Sequence, residues 1–162
     1  METADDAHPP AVASTRSVEP PAIADTIELP DGLHARNQET ILLVEDEDIV
    51  RAALKRILER GGYSVVTAKN GEDASQIFHA NGRKFDLVVT DVVMPHMNGP
   101  AFAREIVAQG WPIDRVLFVS GWPWDPETGF FPDQGEEIHL VSKPIGYIEL
   151  IQTIRDLLDK KR

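Results

Sequence analysis

The sequence contains no cysteine, which excludes disulfides and thiolate metal sites and leaves the redox compartment open. Basic residues are scarce: 16 Lys and Arg stand against 27 Asp and Glu, a formal net charge of −11. Nucleic acid and anionic membranes need a basic face, so neither is expected as the main partner. No apolar run approaches the roughly 18 residues of a membrane-spanning helix. The chain start offers neither a basic region nor an apolar h-region, which argues against a secretory signal and makes the cytoplasm the expected location. What remains is 162 residues, 42% hydrophobic and 27% charged, room for one ordinary globular domain.

Residues 1–38 scatter Pro9, Pro10, Pro20, Pro21 and Pro30 among small and acidic residues, with little apolar periodicity. Such a stretch buries too little surface to offset its ordering entropy, so it reads as a disordered tail ahead of a domain spanning 39–162. A short docking segment around Ile23–Leu29 is the competing reading.

The rest is organised around LVVTDVVMPHMNG, Leu87 to Gly99. Its apolar, β-branched start is that of a strand buried on both faces. Pro95 and Asn98-Gly99 forbid further pairing, so Asp91 stands where the strand must stop. A carboxylate there is a metal ligand, a nucleophile or a helix cap; the plainest alternative is a turn aspartate without chemistry.

Around this stretch strand and helix alternate. Ile41–Val44 predicts a first strand, running into Glu45-Asp46-Glu47-Asp48. A helix follows, striped by Ile49, Ala53, Ile57 and by Val50, Leu54, Leu58, and ends at Gly61-Gly62. Tyr63–Ala68 is a second strand; Asn70 and Asp73 then form a capping-box-like start to a helix that turns Ala74, Ile77 and Phe78 inward. Phe85–Thr90 is the third strand, and Gly99-Pro100 opens a helix facing inward with Phe102, Ile106 and Val107. Arg115–Val119 and Ile138–Val141 are the last strands, and a final helix carries Ile148, Ile151, Ile154, Leu157 and Leu158. Between those two strands, Gly121–Glu137 has Pro123, Pro126, Gly129, Pro132 and Gly135 too close together for a long helix, so a loop with at most a turn or two is expected.

Alternation of this kind gives a doubly wound parallel sheet with helices on both faces and all strand carboxyl ends along one edge. That edge collects Glu45 and Asp46, then Asp91, Ser120 and Lys143. Phosphoryl transfer to a carboxylate needs this set. Asp91 is the nucleophile. Clustered acids invite a hard divalent cation, which takes oxygen ligands. Lys143 and the Ser120 hydroxyl meet the oxygens of the transferred group.

The strings ILLVEDED, FDLVVTDVVMPHMNG, VLFVSGW and VSKP, in this order and spacing, resemble the response-regulator receiver domain of two-component signalling, over Thr40–Arg162. VVMPHMNGP with EIHLVSKP is especially similar to receivers of hybrid histidine kinases. The resemblance implies a five-stranded sheet in the flavodoxin-like order 2-1-3-4-5. It further implies phosphorylation of Asp91, Mg²⁺ (or Mn²⁺) held by Asp46 and Asp91, Glu45 acting through the metal's waters, and the Val93 backbone carbonyl completing the protein ligands. Ser120 and Lys143 match the family's hydroxyl and lysine. The phosphodonor would be a histidine kinase or a His-phosphotransfer protein.

Two departures stand out. Family members often carry Tyr or Phe three residues before the lysine, where this chain has Leu140. The Pro/Gly-rich loop also replaces most of the fourth helix, with Trp122, Trp124, Phe130 and Phe131 in it, and these aromatics are the expected substitutes in switching. The sequence therefore predicts a stand-alone phospho-acceptor that shuttles phosphate or docks on another protein, and not a multiple-turnover enzyme. A metal-dependent phosphohydrolase would want a second acid two residues after the nucleophile, where Val93 stands. A phosphate-independent scaffold would have no use for Glu45, Asp46, Asp91, Ser120 and Lys143 together.

Overall fold

The computed structural model describes residues 28–81, 84–121 and 138–160. The elements alternate as β1 (Thr40–Val44), α1 (Asp48–Arg60), β2 (Ser64–Ala68), α2 (Gly71–Ala80), β3 (Leu87–Asp91), α3 (Gly99–Ala108), β4 (Val116–Ser120), β5 (His139–Ser142) and α4 (Tyr147–Asp159). The boundaries fall within about two residues of those expected, the usual scatter at element ends. Local chemistry explains the helix starts. The Asn70 side chain accepts the Asp73 N–H at 2.9 Å, and the Asp73 carboxylate reaches back to the Lys69 N–H at 3.1 Å. Asn98 caps α3 by accepting the Ala101 N–H at 2.8 Å. After α1, Gly62 takes φ of +84°, a left-handed conformation that a side chain would oppose.

The five strands are parallel in the order β2-β1-β3-β4-β5. The register sets Val44 beside Ala68 and Thr90, Asp91 beside Val119, and Ser120 beside Ser142. The β1–α1 turn and the ends of β3, β4 and β5 therefore share one edge.

Each face carries its own core. On one face Phe78 meets Trp111 at 5.1 Å, Phe85 at 5.9 Å and Phe102 at 6.1 Å between ring centroids, beneath α2 and α3. On the other, α1 and α4 cover Ile41, Leu43, Leu87 and Leu117 with Leu58, Ile151, Ile154 and Leu158. The α1 stripe is shorter than its periodicity implies. Ile57 and Leu58 are buried, but Ile49 is 55% exposed. Near the carboxyl edge α1 and α4 stand apart around a cavity of about 640 Å³, lined by Val50, Leu54, Tyr147 and Leu150 among others, so among the described residues the early part of α1 is only partly covered.

The expected tail boundary at residue 38 also needs correction. Leu33 is buried and Leu29 and Ala35 pack against the α1/α4 core. The Ala35 N–H donates to the Gly61 carbonyl at 2.7 Å, and the Tyr63 hydroxyl donates to the Leu33 carbonyl at 2.9 Å. A few well-placed contacts hold this segment without any periodic apolar pattern. Residues 1–27, and with them most of the Ile23–Leu29 segment, lie outside the described residues, as do 122–137 and thus the fourth-helix replacement.

Candidate functional site

Asp91 is the last residue of β3, where the ladder hands over to a loop. The next residue's N–H still donates across the sheet to the Val119 carbonyl at 3.0 Å, and the Val92 carbonyl accepts the Gly99 N–H at 3.1 Å. Chain return at Gly99 is tight: a Cβ there would lie 2.1 Å from the Asp91 carbonyl oxygen and 2.9 Å from Thr90 Oγ1. Only glycine lets α3 begin directly beneath the aspartate. Thr90 Oγ1 in turn donates to the Asp91 carbonyl at 2.9 Å. One carboxylate oxygen of Asp91 accepts the Val93 N–H at 3.1 Å, and the other meets Lys143 Nζ at 2.6 Å.

Lys143 follows β5. Its backbone N–H donates to the Ser120 carbonyl at 2.6 Å, and a cis peptide joins it to Pro144. Its ammonium also reaches Glu45 at 3.2 Å. Burial pulls the ammonium's pKa down, but the hydrogen bond to Asp91 and the charge of Glu45 outweigh it, so the group sits above its ordinary value. Glu45, 3% exposed, is pushed the opposite way from an ordinary salt-bridged acid. Burial raises its pKa, and the neighbouring charge of Asp91 adds to the rise. The Glu47 N–H, which it accepts at 3.2 Å, and Lys143 oppose this without cancelling it.

One carboxylate oxygen from each of Glu45, Asp46 and Asp91 lies within 4.8 Å of the other two. Two of these acids, Glu45 and Asp91, share one ammonium, and Asp46 stands beside them. Like charges at this separation destabilise each other, and a small divalent cation is the natural relief. The donor set is all oxygen, as Mg²⁺ or Mn²⁺ prefers, so the residues fit such an ion.

The sequence-derived candidates are thus largely brought together. Glu45, Asp46, Asp91 and Lys143 converge. Ser120 is the last residue of β4, 4% exposed and paired in register with Ser142. Val93 exposes its side chain while its N–H holds Asp91. Leu140 lies in β5 beside Phe118, half-buried against the α2/α3 core. Trp122 and Trp124 lie outside the described residues. Sequence reasoning passed over Thr90, Gly99 as a cradle, and Arg51, whose guanidinium grips the β1–α1 turn. The first two stand inside the string that carries the family pattern, whereas nothing in the spacing of Arg51 announces its grip.

The fold and this edge define a receiver, and the comparisons agree: the chain belongs to the response regulator receiver domain family, which matches residues 41–155. Among curated relatives, the sensor kinase CckA of Brucella abortus (strain 2308) is 33% identical over 162 residues, covering 94% of this chain and 16% of that kinase. The chain therefore spans under a fifth of that relative's length. The response regulator receiver protein CpdR of the same organism is 31% identical over 121 residues, covering 73% of this chain and 95% of CpdR. Among solved structures, the receiver domain of the hybrid histidine kinase CckA superposes with a TM-score of 0.60 at 33% identity, covering 74% of this chain and 98% of that one. TrrA of Thermotoga maritima, solved in complex with Mg(2+)-BeF, gives a TM-score of 0.60 at 29% identity, with coverage of 74% and 98%. Among the described residues, no helix is long and apolar enough to cross a membrane.

Proposed function

We propose that this receiver takes a phosphoryl group onto Asp91 from a phosphohistidine of a histidine kinase or His-phosphotransfer protein, and works in the cytoplasm. The observation that carries this is the convergence of three carboxylates within 4.8 Å, with the Lys143 ammonium 2.6 Å from Asp91. A carboxylate oxygen of Asp91 forms the new O–P bond as the donor's N–P bond breaks. The imidazole nitrogen leaves with the electron pair. Lys143, already seated on Asp91, shifts its ammonium to an oxygen of the transferred group, and the Ser120 hydroxyl donates to another. Asp46 and Asp91 would hold Mg²⁺ or Mn²⁺ directly, Glu45 through water, and the Val93 backbone carbonyl would complete the protein's ligands. A bound divalent cation supplies neutralisation of the charge on the phosphoryl oxygens. Attack of water on phosphorus breaks the Asp91 O–P bond, releases inorganic phosphate and restores the carboxylate, so the cycle consumes only the donor and water. The output is phosphorylation-dependent binding to a downstream protein or onward transfer of phosphate. Correspondence with CpdR over 95% of that protein's length favours a regulator that works as a receiver by itself.

The test is incubation with Mg²⁺ and acetyl phosphate followed by intact mass. Wild type gains one phosphoryl group, and Asp91→Asn gains none. Absence of any gain in wild type, or equal gain in the variant, overturns the assignment. Turnover of a phosphomonoester beyond one equivalent would point to a phosphohydrolase instead.

A further inference from the structure

The geometry points to Arg51 as a positioning residue for the divalent-cation site, an inference that rests on the function proposed above. The acid pair Glu45-Asp46 sits on a turn where the Glu45 side chain accepts the Glu47 N–H at 3.2 Å and Lys143 Nζ at 3.2 Å. These bonds leave the Glu45 and Asp46 carbonyls free to be held from elsewhere. β1 ends at Val44, and the Glu45 N–H makes the last cross-strand bond, to the Ala68 carbonyl at 3.1 Å. Glu47, at the N-cap of α1, makes no side-chain capping bond. Arg51 supplies the missing tie from one turn into the helix. Its Nη1 donates to the Glu45 carbonyl at 2.7 Å and to the Asp46 carbonyl at 3.4 Å, while Nη2 pairs with Asp48. The side chain is only 19% exposed. A planar fork spanning three groups fixes the peptide planes of both acidic residues, and those planes decide where the two carboxylates point.

Charge and position predict opposite signs. Arg51 is a cation near the acid cluster, so by charge alone its removal would strengthen Mg²⁺ binding. If it acts by position, removal weakens binding, by about tenfold as for other groups that orient metal ligands. Arg51→Lys keeps the charge but not the fork, and loses about threefold on the same grounds.

The test titrates the full chain with MgCl₂ alone, following backbone amide shifts of Glu45–Asp48 and Val93, with thermal melts of each metal-free protein alongside. Weaker Mg²⁺ binding in both Arg51→Met and Arg51→Lys supports the inference, and the lysine variant carries the test should the methionine variant not fold. Tighter binding in Arg51→Met with Arg51→Lys unchanged overturns it in favour of a charge effect. Lowered melting with unchanged Mg²⁺ affinity overturns it in favour of a merely structural role. Wild type that binds no Mg²⁺ sinks the functional proposal together with this one, whereas wild type and variants binding equally sinks this one alone.

Discussion

Along the face covered by α1 and α4 the chain gathers acids and bases at both ends of the sheet. At the amino edge, Glu39 accepts from Arg155 Nη1 at 2.6 Å and Nη2 at 2.7 Å and from the Arg36 N–H at 3.1 Å. Arg155 is also within 3.4 Å of the His34 carbonyl and 3.3 Å of the Tyr63 hydroxyl. Both partners are buried, at 6% and 1% exposure, and acid and base are matched in a bidentate fork. At the carboxyl edge three carboxylates cluster and two of them, Glu45 and Asp91, share one lysine, which itself remains 31% exposed. The first cluster is closed, with Asp159 adding a second carboxylate 3.0 Å from Arg155 Nη2, and Arg155 Nε is its one buried donor without a partner among the described residues. The second is open, short of positive charge and therefore ready for a cation and a phosphoryl group. Stability and reactivity are drawn from the same residue types, and the difference lies in how completely each charge is answered.

The closed end has the most to lose. Arg155→Met strands the Glu39 carboxylate in the interior, and breaking a buried pair in this way costs about 3–5 kcal/mol. Urea unfolding should show this as a large drop in midpoint, since domains of this size are stable by only about 5–15 kcal/mol. Converting both partners, Glu39→Gln with Arg155→Met, should recover part of the loss. Uptake of phosphate from acetyl phosphate, measured where the variant is still folded, should keep its rate. A loss under about 1 kcal/mol would remove the distinction between the two ends, because that is the range of an exposed pair.

The two ends also differ in how far the sequence announces them. The carboxyl-edge residues each stand at the end of a predicted strand, so topology alone predicts that Glu45, Asp91, Ser120 and Lys143 share an edge. The strand order itself came from the family resemblance, since alternation does not decide which parallel strands are neighbours. The amino-edge cluster is nearly silent. Leu33 is a lone apolar residue among Asp, Gly and His, and its burial depends on the α1–β2 turn lying where it can be reached. Arg155 stands four residues after Ile151 and three before Leu158, so the inward face of α4 includes it, but a cation in an apolar stripe does not reveal that Glu39 will meet it. The short packing of early α1 is likewise a property of how far apart two helices stand, not of either helix's pattern.

Lys143 separates the two demands made on the open end. Lys143→Met removes a cation 2.6 Å from Asp91, so Mg²⁺ competes with nothing there and should bind more tightly. The same variant loses the donor that meets the transferred group, and phosphate uptake at saturating Mg²⁺ should slow by about a hundredfold, in the range for deleting one preorganised donor. Metal titration by amide shifts and the time course of intact mass read these separately. A decrease in both would mean that Lys143 holds the carboxylates in place and does not compete with the cation.

Glu45 gives the subtlest contrast, through pH. Burial lifts its folded-state pKa above the ordinary 4.5, so the folded chain holds this proton more tightly than the unfolded chain. Its contribution to stability is full below 4.5 and is lost as pH rises through the folded value, with stability falling by at most about 1.4 kcal/mol per pH unit across that window. Glu45→Gln has no proton to lose, so the wild-type minus variant stability in metal-free urea titrations should fall as pH rises from 4.5 and then level off. Mg²⁺ prefers the ionised acid and should shift this balance: its stabilisation of wild type should grow over the same window. At the closed end no such metal dependence is expected, because Glu39 is already matched by Arg155. If the pH curves of wild type and Glu45→Gln run parallel, the acid at the open end is answered as fully as the one at the closed end, and the contrast between them disappears.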